Sequence, residues 1–174
     1  IYFAKTFRGI TCCTSGYTSK SFCKVNTFNF FFSYVSQSSY ALIFFIFNEI
    51  QETLFTIGSH LAADGDEKMI DKLPVISSTP TSNLEKSIDL MDVELPEMRN
   101  FILPGGHKLS SYCHIARCVC RRAERLVIES IEQNNMSSEI VVFLNRLSDF
   151  LFVLARKVLK DHGLDETPWN PKKN

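Results

Sequence analysis

The sequence predicts an all-α protein, a bundle of helices, and three observations lead to this prediction. From about residue 48 onward, apolar residues recur at three- and four-residue steps, the spacing of one face of an α-helix. No segment of that part reads convincingly as a strand, in which apolar and polar residues would alternate. The prolines there lie between the periodic stretches or after them, where helices begin and end.

Length and charge indicate two unlike pieces. The chain has 174 residues, a size that suits one domain, and its 19 basic and 19 acidic residues give zero net charge. Residues 1–47 contain basic residues but no acid, and the first acid is Glu49. We therefore predict an atypical aromatic-rich segment at 1–47 and a helical domain at 48–174. The charge content argues against a nucleic-acid-binding arm and against a disordered acidic tail.

The segment 1–47 fits no targeting class. Polar residues from Thr11 onward interrupt the apolar run that a signal peptide needs. Residues 28–47 are uncharged and long enough to cross a bilayer, but Asn, Gln and Ser side chains dilute their hydropathy. We therefore expect no membrane span.

The first helix is predicted at Asn48–Ala63. Its buried face is expected to contain Ile50, Leu54, Ile57 and Leu61. Residues 64–81 are polar and contain two prolines, which predicts a linker or loop. Ser82 and Glu85 have the spacing of a capping box, so the next helix is expected to begin there and to end near Val93.

Two long helices follow a connection interrupted by Pro96 and by Pro104-Gly105-Gly106. One is predicted from about Lys108 to Gln133, and the other from about Ser138 to Asp161, ending near Gly163. The core stripe of the first is expected to contain Cys113, Ala116, Val119, Cys120, Ala123 and Val127. The core face of the second is expected to contain Leu144, Leu147, Leu151, Leu154 and Val158.

Three arginines of the 108–133 helix carry its most informative chemistry. Arg117, Arg121 and Arg125 follow one another at four-residue steps, which places their stems within an arc of about 80°. Like charges stacked in this way repel one another unless an anion or carboxylates from another element lie against them. Guanidinium groups suit phosphate oxygens, so an anion site is one interpretation, and a set of salt bridges is the other.

The last helix supplies polar residues that could face this stripe. Asp149 stands in an otherwise apolar helix and needs a partner, because burying a lone carboxylate is costly. Arg117 or Arg121 is the expected partner. Asn145, on the same side as Asp149 and Arg156, is expected to bind a ligand ribose, a phosphate or a backbone group.

The six cysteines predict neither disulfides nor a metal site. The sequence has no CxxC pair, and His114 with Cys118 would supply only two ligands. Cys118 and Cys120 are expected on different sides of their helix. Free, buried or half-buried thiols in a reducing compartment are the expectation.

Five ordered segments resemble the PduO-type ATP:corrinoid adenosyltransferases, over roughly residues 48–171. They are IQETLFTIGSHLA (50–62), LEKSIDLMDVELP (84–96), FILPGGHKLSS (101–111), ARCVCRRAERLV (116–127) and FLNRLSDFLFVLAR (143–156). The resemblance implies a five-helix bundle that assembles as a homotrimer with active sites between subunits. It also implies transfer of the 5′-deoxyadenosyl group of ATP, accompanied by Mg²⁺, to cob(I)alamin, forming adenosylcobalamin and releasing triphosphate.

The resemblance also implies roles for individual residues. Arg121 and Arg125 would hold the triphosphate, and Phe101 would lie beneath the corrin and displace its lower axial ligand. The other nucleotide-site positions are Arg122, Glu124 and Asn145. The residues that brace the site are Arg117 and Asp149.

The front segment departs from the family pattern. The family opens with a phosphate-binding loop close to TKTGDxGxT, and the nearest text here is AKTFRGIT (4–11). Lys5 and Thr6 would contact ATP, but Phe7-Arg8 replaces the Gly-Asp pair, and phenylalanine lacks the backbone freedom of glycine. A non-catalytic helical module that binds nucleotide or corrinoid, or only forms trimers, is therefore the alternative function.

The resemblance implies further partners and a place in the cell. ATP and reduced cobalamin are the expected substrates, and a corrinoid reductase or an adenosylcobalamin-dependent enzyme is a possible protein partner. Nucleic acid is not expected. The expected location is the cytoplasm, with the mitochondrial matrix as the alternative.

Overall fold

The computed structural model describes residues 40–63, 66–134 and 137–171. Its helices, in chain order, are α1 (Tyr40–Ala63), α2 (Glu67–Ile70), α3 (Thr79–Asp92), α4 (Lys108–Asn134) and α5 (Glu139–Asp161). The predicted all-α class is confirmed. Within the described ranges, β-type pairing is limited to an isolated bridge between Ile102 and Pro168. In the same ranges, every helix falls short of the length or the hydropathy that a membrane crossing requires.

The chain divides into two compact units, the first ending at Leu73 and the second comprising Pro74–Asn174. The first unit contains α1 and α2. The short α2 begins after Asp66, whose carboxylate accepts a hydrogen bond from the Lys68 backbone N–H at 3.0 Å. The predicted linker at 64–81 therefore contains a one-turn helix and the start of α3.

Helix α1 begins at Tyr40, before the predicted start at Asn48. Ile50 and Ile57 are buried as predicted, and Ile46 extends the same apolar spacing upstream. The change of composition near residue 48 is thus not a helix boundary, because the stretch before it is apolar and continues the helical period. The division into segments 1–47 and 48–174 stays a prediction.

Helix α3 begins at Thr79, with Ser78 as its N-cap residue and Pro80 in its first turn. The predicted capping box is therefore wrong, since Ser82 lies inside the helix and its N–H donates to the Ser78 carbonyl at 3.0 Å. Proline fits the first turn because its missing N–H would have no helical partner there. The predicted end is confirmed, with Val93 as the C-cap residue.

Helix α5 is the centre of the second unit and packs against both α3 and α4. Of the predicted core residues Leu144, Leu147, Leu151, Leu154 and Val158, all are buried except the half-buried Val158. Phe143 and Phe150, on further sides of the helix, are also buried. Burial on so many sides means that α5 serves as the common support for its neighbours.

Helix α4 buries a narrower face than predicted. Cys113, Cys120 and Val127 are buried, but Ala116 and Val119 are exposed in the described structure. The buried residues recur at seven-residue steps and face α5, whereas the two exposed residues lie on a side that α5 does not cover. The prediction that Ala116 and Val119 lie in the core is therefore wrong for the single chain.

Helix α5 ends at a glycine, as predicted. Gly163 has a φ of 66°, and the N–H of Leu164 donates to the Leu159 carbonyl at 2.9 Å. This is the Schellman arrangement, in which a left-handed residue lets the chain reverse and satisfies carbonyls that the helix leaves unpaired.

Two leucines of α3 give a matched test of this packing. Leu84 is 1% exposed and Leu90 is 60% exposed. We expect Leu84→Ala to lower the free energy of unfolding by about 2–5 kcal/mol, because the substitution leaves a cavity. Leu90→Ala is expected to change it by no more than about 0.5 kcal/mol. Urea unfolding followed by circular dichroism measures both values, and similar losses would contradict the packing of α3 on α5.

Candidate active site

Glu124 on α4 and Asn145 on α5 meet where these two helices pack together. The Asn145 side-chain amide donates a hydrogen bond to Glu124 Oε1 at 3.0 Å, and both side chains are half-buried. A short connection makes α4 and α5 neighbours, so residues far apart in sequence face each other. Two of the predicted nucleotide-site residues are thus in direct contact.

Asp149 has a different partner from the one predicted. Its carboxylate lies 3.4 Å from the guanidinium of Arg146, one turn earlier on α5. Arg146 also donates to the Asn145 side-chain oxygen at 3.3 Å and lies 3.9 Å from Glu85 on α3. Pairing with Arg117 or Arg121 is therefore wrong for the described structure. The Asp149 side chain is 43% exposed, so its charge does not require a counter-ion from another helix.

Arg121, Arg122 and Arg125 form no ion pair with any carboxylate in the described part of the chain. Arg121 is half-buried, and the other two are exposed. The salt-bridge interpretation of the arginine stripe therefore has no support within these ranges. Three arginines within five residues of α4, without a carboxylate partner in the described ranges, make a site that attracts anions.

Arg117 lies on the ring of Phe152, with its guanidinium carbon 5.2 Å from the ring centre. His114 contacts the edge of the same ring, with 6.1 Å between the ring centres. Burial lowers the pKa of His114, and the Arg117 cation lowers it further. The buried Arg117 Nε has no hydrogen-bond partner in the described structure. Arg117 is thus held by the ring and by packing.

Cys120 lies close to three of the predicted site residues. The pKa of its thiol is raised to about 12, chiefly by burial and then by the charges of Glu124 and Asp149, while the Arg121 cation acts in the opposite direction. The thiol donates to the Leu144 carbonyl at 3.2 Å. The three charged side chains therefore converge on one region between α4 and α5, and the thiol beneath them stays protonated.

Of the other described cysteines, Cys113 is buried as predicted, whereas the prediction of a buried or half-buried thiol is wrong for Cys118. Cys113 is buried, and this burial raises the pKa of its thiol to about 12. Cys118 is exposed, so Cys118 and Cys120 do lie on different sides of α4. All three are free thiols, and no group of three metal-binding side chains occurs in the described ranges.

Phe101 lies on the connection between α3 and α4. Its ring is 75% exposed and contacts the edge of the Trp169 ring, with 6.1 Å between the ring centres. The backbone beside it pairs with the segment after α5. The N–H of Leu103 donates to the Thr167 carbonyl at 2.8 Å, and the N–H of Trp169 donates to the Phe101 carbonyl at 2.6 Å.

The last turns of α5 hold this connection in place. The Arg156 side chain, 5% exposed, donates to the Pro96 carbonyl and to Glu166, each at 2.6 Å. At the other end of the connection, the rings of His107 and His162 stack with their centres 4.1 Å apart. Gly106 lies so close that an added Cβ would be 2.8 Å from a methyl of Leu159.

The sequence alone does not reveal the residues that hold the connection in place. The sequence predicts Arg156 on the side of α5 that carries Asn145 and Asp149, but it does not reveal that Arg156 binds the connection and the segment after α5. A charged residue directly after the apolar run Leu151–Ala155 is the signal that could have marked it as buried and paired. The predicted ATP contacts Lys5 and Thr6 lie outside the described residues.

The sequence pattern of the family described as Cobalamin adenosyltransferase matches residues 24–158. The chain belongs to this family. The match begins within the aromatic-rich segment, upstream of residue 48 where the recognisable motifs begin.

Relatives of this adenosyltransferase-family chain carry consistent names. The human corrinoid adenosyltransferase MMAB is 40% identical over 120 residues, which is 68% of this chain and 48% of that protein. The Bacillus subtilis corrinoid adenosyltransferase is 38% identical over 120 residues, covering 69% of this chain and 60% of the relative. The chain thus aligns with about half of the length of these curated relatives.

A solved family structure has the same fold. It is a PduO-type ATP:corrinoid adenosyltransferase from Lactobacillus reuteri, in a phenylalanine-to-alanine variant complexed with cobalamin and ATP. It superposes with a TM-score of 0.70 at 28% identity, covering 85% of this chain and 81% of that one. The helical adenosyltransferase fold is therefore established for this chain.

The cysteines of this family member give a chemical test of the geometry. With a pKa of about 12, only about one in ten thousand of the Cys113 and Cys120 thiols is ionised at pH 8. We expect iodoacetamide at pH 8 to label Cys118 first and the other two only after unfolding in urea. Peptide mass spectrometry assigns each label, and equal labelling of all three in the folded chain would contradict the burial.

Proposed function

We propose that this protein transfers the 5′-deoxyadenosyl group of ATP to cob(I)alamin. The cobalt atom attacks C5′ of ATP, so a cobalt–carbon bond forms, the C5′–oxygen bond breaks and triphosphate leaves. The observation that carries this proposal is the arginine stripe, which has no ion-pair partner among the described residues, together with the Glu124–Asn145 pair, in a chain whose relatives are named corrinoid adenosyltransferases. Since the cobalt is the nucleophile, the protein contributes positioning and electrostatics.

The arginines bind the triphosphate. Arg121 and Arg125 hold its oxygens and offset the negative charge that builds on the leaving group. Arg122, exposed on the same helix, adds a third cation at the nucleotide site. Mg²⁺ accompanies ATP, with triphosphate oxygens and water as its ligands, because this ion usually keeps several waters.

Glu124 and Asn145 orient the nucleotide, and two further residues brace them. Asp149 holds Arg146, whose guanidinium donates to the Asn145 side-chain oxygen. Arg117, fixed on the Phe152 ring, supports the beginning of the arginine stripe. This bracing keeps polar groups oriented before the substrate arrives, which is the main electrostatic contribution of an enzyme. Lys5 and Thr6 are proposed to contact ATP as well.

Phe101 acts on the corrinoid. Its ring, 75% exposed, offers a flat apolar surface to the lower face of the corrin, where it displaces the axial ligand. The resulting four-coordinate Co(II) corrinoid is easier to reduce to the nucleophilic Co(I) form. Trp169 supports the ring from its edge.

The active site is proposed to lie between two copies of the chain, as the family resemblance implies. Arg125 lies 17 residues beyond Lys108, the first residue of α4 (125 − 108 = 17), which is roughly 25 Å by helix rise. Phe101 precedes Lys108 in the sequence, and we propose that the site combines Phe101 of one copy with the arginines of another.

The exposed side of α4 suits such an assembly. Its apolar residues recur at helical spacing and lie outside the core of the single chain: Tyr112, Ile115, Val119 and Leu126. We call this set the α4 outer face. Apolar residues exposed along one side of a helix indicate a protein contact, and we propose that this face packs against other copies in a homotrimer.

The cellular setting follows from the same chemistry. Free buried thiols and a reduced cobalt substrate belong in a reducing compartment, which is the cytoplasm or, alternatively, the mitochondrial matrix. A corrinoid reductase that supplies reduced substrate, or an adenosylcobalamin-dependent enzyme that receives the product, is the proposed protein partner.

The function is tested with the full chain, ATP, Mg²⁺ and chemically reduced cobalamin. We expect the absorbance spectrum of adenosylcobalamin to appear only when ATP is present. Arg125→Ala is expected to weaken ATP binding by roughly 10- to 100-fold, the loss expected for a charge-assisted bond to phosphate. Lys86→Ala, which removes an exposed cation from α3, should leave ATP binding unchanged. Isothermal titration calorimetry measures the affinities.

The outcomes separate the two candidate functions. Binding of ATP or corrinoid without product would favour the non-catalytic module. Equally small effects of Arg125→Ala and Lys86→Ala on ATP affinity would contradict the proposal that Arg125 binds the triphosphate. Arg156→Ala is unsuitable as the control, since Arg156 is buried and holds the connection that carries Phe101.

The trimer has its own test. Val119, 46% exposed, lies on the α4 outer face, and Val75, 89% exposed, lies before α3. We expect the wild-type chain to have three times its 19.9 kDa mass by light scattering. Val119→Asp should yield a monomer because it would bury an unpaired charge, whereas Val75→Asp should remain trimeric. A Val119→Asp trimer would rule out this face as the contact.

A further inference from the structure

The Arg156 guanidinium on α5 contacts two segments that have no regular secondary structure of their own. Arg156 Nε donates to Glu166 Oε1 at 2.6 Å, and its Nη2 donates to the Pro96 carbonyl at 2.6 Å. Asp92, at the end of α3, lies 3.7 Å from Nη1. The side chain is 5% exposed, so one guanidinium on the rigid α5 holds both segments from within.

Both segments lead directly to Phe101. Pro96 lies five residues before it, and Glu166 lies three residues before Trp169, whose ring contacts the Phe101 ring. Two backbone hydrogen bonds then pair the segments, from Leu103 to Thr167 and from Trp169 to Phe101. A short pairing of this kind is marginally stable by itself, so its position depends on what fixes its base.

We infer that Glu166 and Arg156 are positioning residues that set the place of the Phe101 ring under the corrinoid. This inference rests on the proposed function of Phe101. The ion pair of Glu166 with Arg156 fixes the segment after α5. The two backbone hydrogen bonds then fix the Phe101 backbone relative to that segment, and the backbone determines where the Phe101 ring lies. Neither residue touches the substrate.

The charge of Glu166 matters because the other acidic partner of Arg156 is weaker. Asp92 lies farther away and its side chain is 64% exposed, whereas the Glu166 side chain is 19% exposed. Without Glu166, the buried Arg156 cation retains the Pro96 carbonyl and the largely solvated Asp92 carboxylate as partners. The segment after α5 then loses its ion pair with the helix at this point. Displacement of a positioning contact by about 1 Å is enough to lower a rate strongly.

The experiment uses the full chain with ATP, Mg²⁺ and cob(II)alamin. Electron paramagnetic resonance measures the fraction of bound corrinoid that is four-coordinate, which reports the place of Phe101. We expect Glu166→Ala to lower this fraction about tenfold, with the ATP dissociation constant changed by less than about twofold. With cob(I)alamin, which needs no displacement of a lower ligand, its turnover should also stay within about twofold of wild type.

Two companion variants complete the design. Glu166→Gln keeps the size and a hydrogen-bonding oxygen but lacks the charge, so we expect an intermediate four-coordinate fraction; it also gives a result if Glu166→Ala does not fold. Asp165→Ala removes an exposed carboxylate from the neighbouring position and should behave as wild type.

The results distinguish this inference from the proposed function. A four-coordinate fraction in Glu166→Ala and Glu166→Gln equal to that of wild type would overturn the inference alone. Parallel losses of ATP affinity and of turnover with cob(I)alamin would overturn it too, because they would show a general loss of structure. A wild-type chain that binds cob(II)alamin and ATP without the four-coordinate signal would overturn the proposed role of Phe101, and the inference with it.

Discussion

A buried guanidinium cation is the constraint on which one end of this structure depends. Arg156 is 4% exposed, so its cation needs hydrogen-bond acceptors from within the protein. They come from the end of α3, from Pro96 and from Glu166. Apolar burial could not place these segments, because the apolar side chains along the connection, such as Met98 and Phe101, are largely exposed. The location of Phe101 is therefore set by polar contacts to α5.

The arginines on α4 differ from Arg156 in their surroundings. Arg156 is surrounded by internal acceptors, whereas Arg121, Arg122 and Arg125 have no ion-pair partner within the described ranges. Neighbouring cations repel one another and lower the free energy of unfolding. In the described ranges no ion pair offsets this repulsion. Local rules of stability are broken in this way mainly at functional sites, where a ligand supplies the missing charge. Burial and available acceptors, rather than residue type, thus separate the structural arginine from those proposed to bind triphosphate.

The sequence could predict those features that depend on local periodicity. The long helices and the Gly163 ending follow from apolar spacing and glycine conformation, and they were confirmed. The start of α3 was missed because Pro80 makes a good first turn without the Ser82 cap. Apolar spacing indicates that a helix face is covered, but it does not indicate which element covers it. For this reason the spacing alone predicts Val119 in the core of the single chain, where it does not lie. Contacts such as Arg156 with Pro96 join residues 60 positions apart, and a single sequence does not reveal them.

Helix α5 links the two halves of the proposed site but gives them different stability. Asn145 and Arg156 lie eleven residues apart on it (156 − 145 = 11), roughly 16 Å by helix rise. The nucleotide residues stand on helices whose facing sides are buried, so they open only when the bundle opens. The Phe101 segment is held by two backbone hydrogen bonds, by the contact of Arg156 with Pro96 and by a histidine stack. Its apolar side chains Met98, Phe101 and Leu103 are exposed. The part of the proposed site that carries Phe101 therefore depends on polar contacts to α5, whereas the proposed nucleotide residues depend on the apolar packing of the bundle.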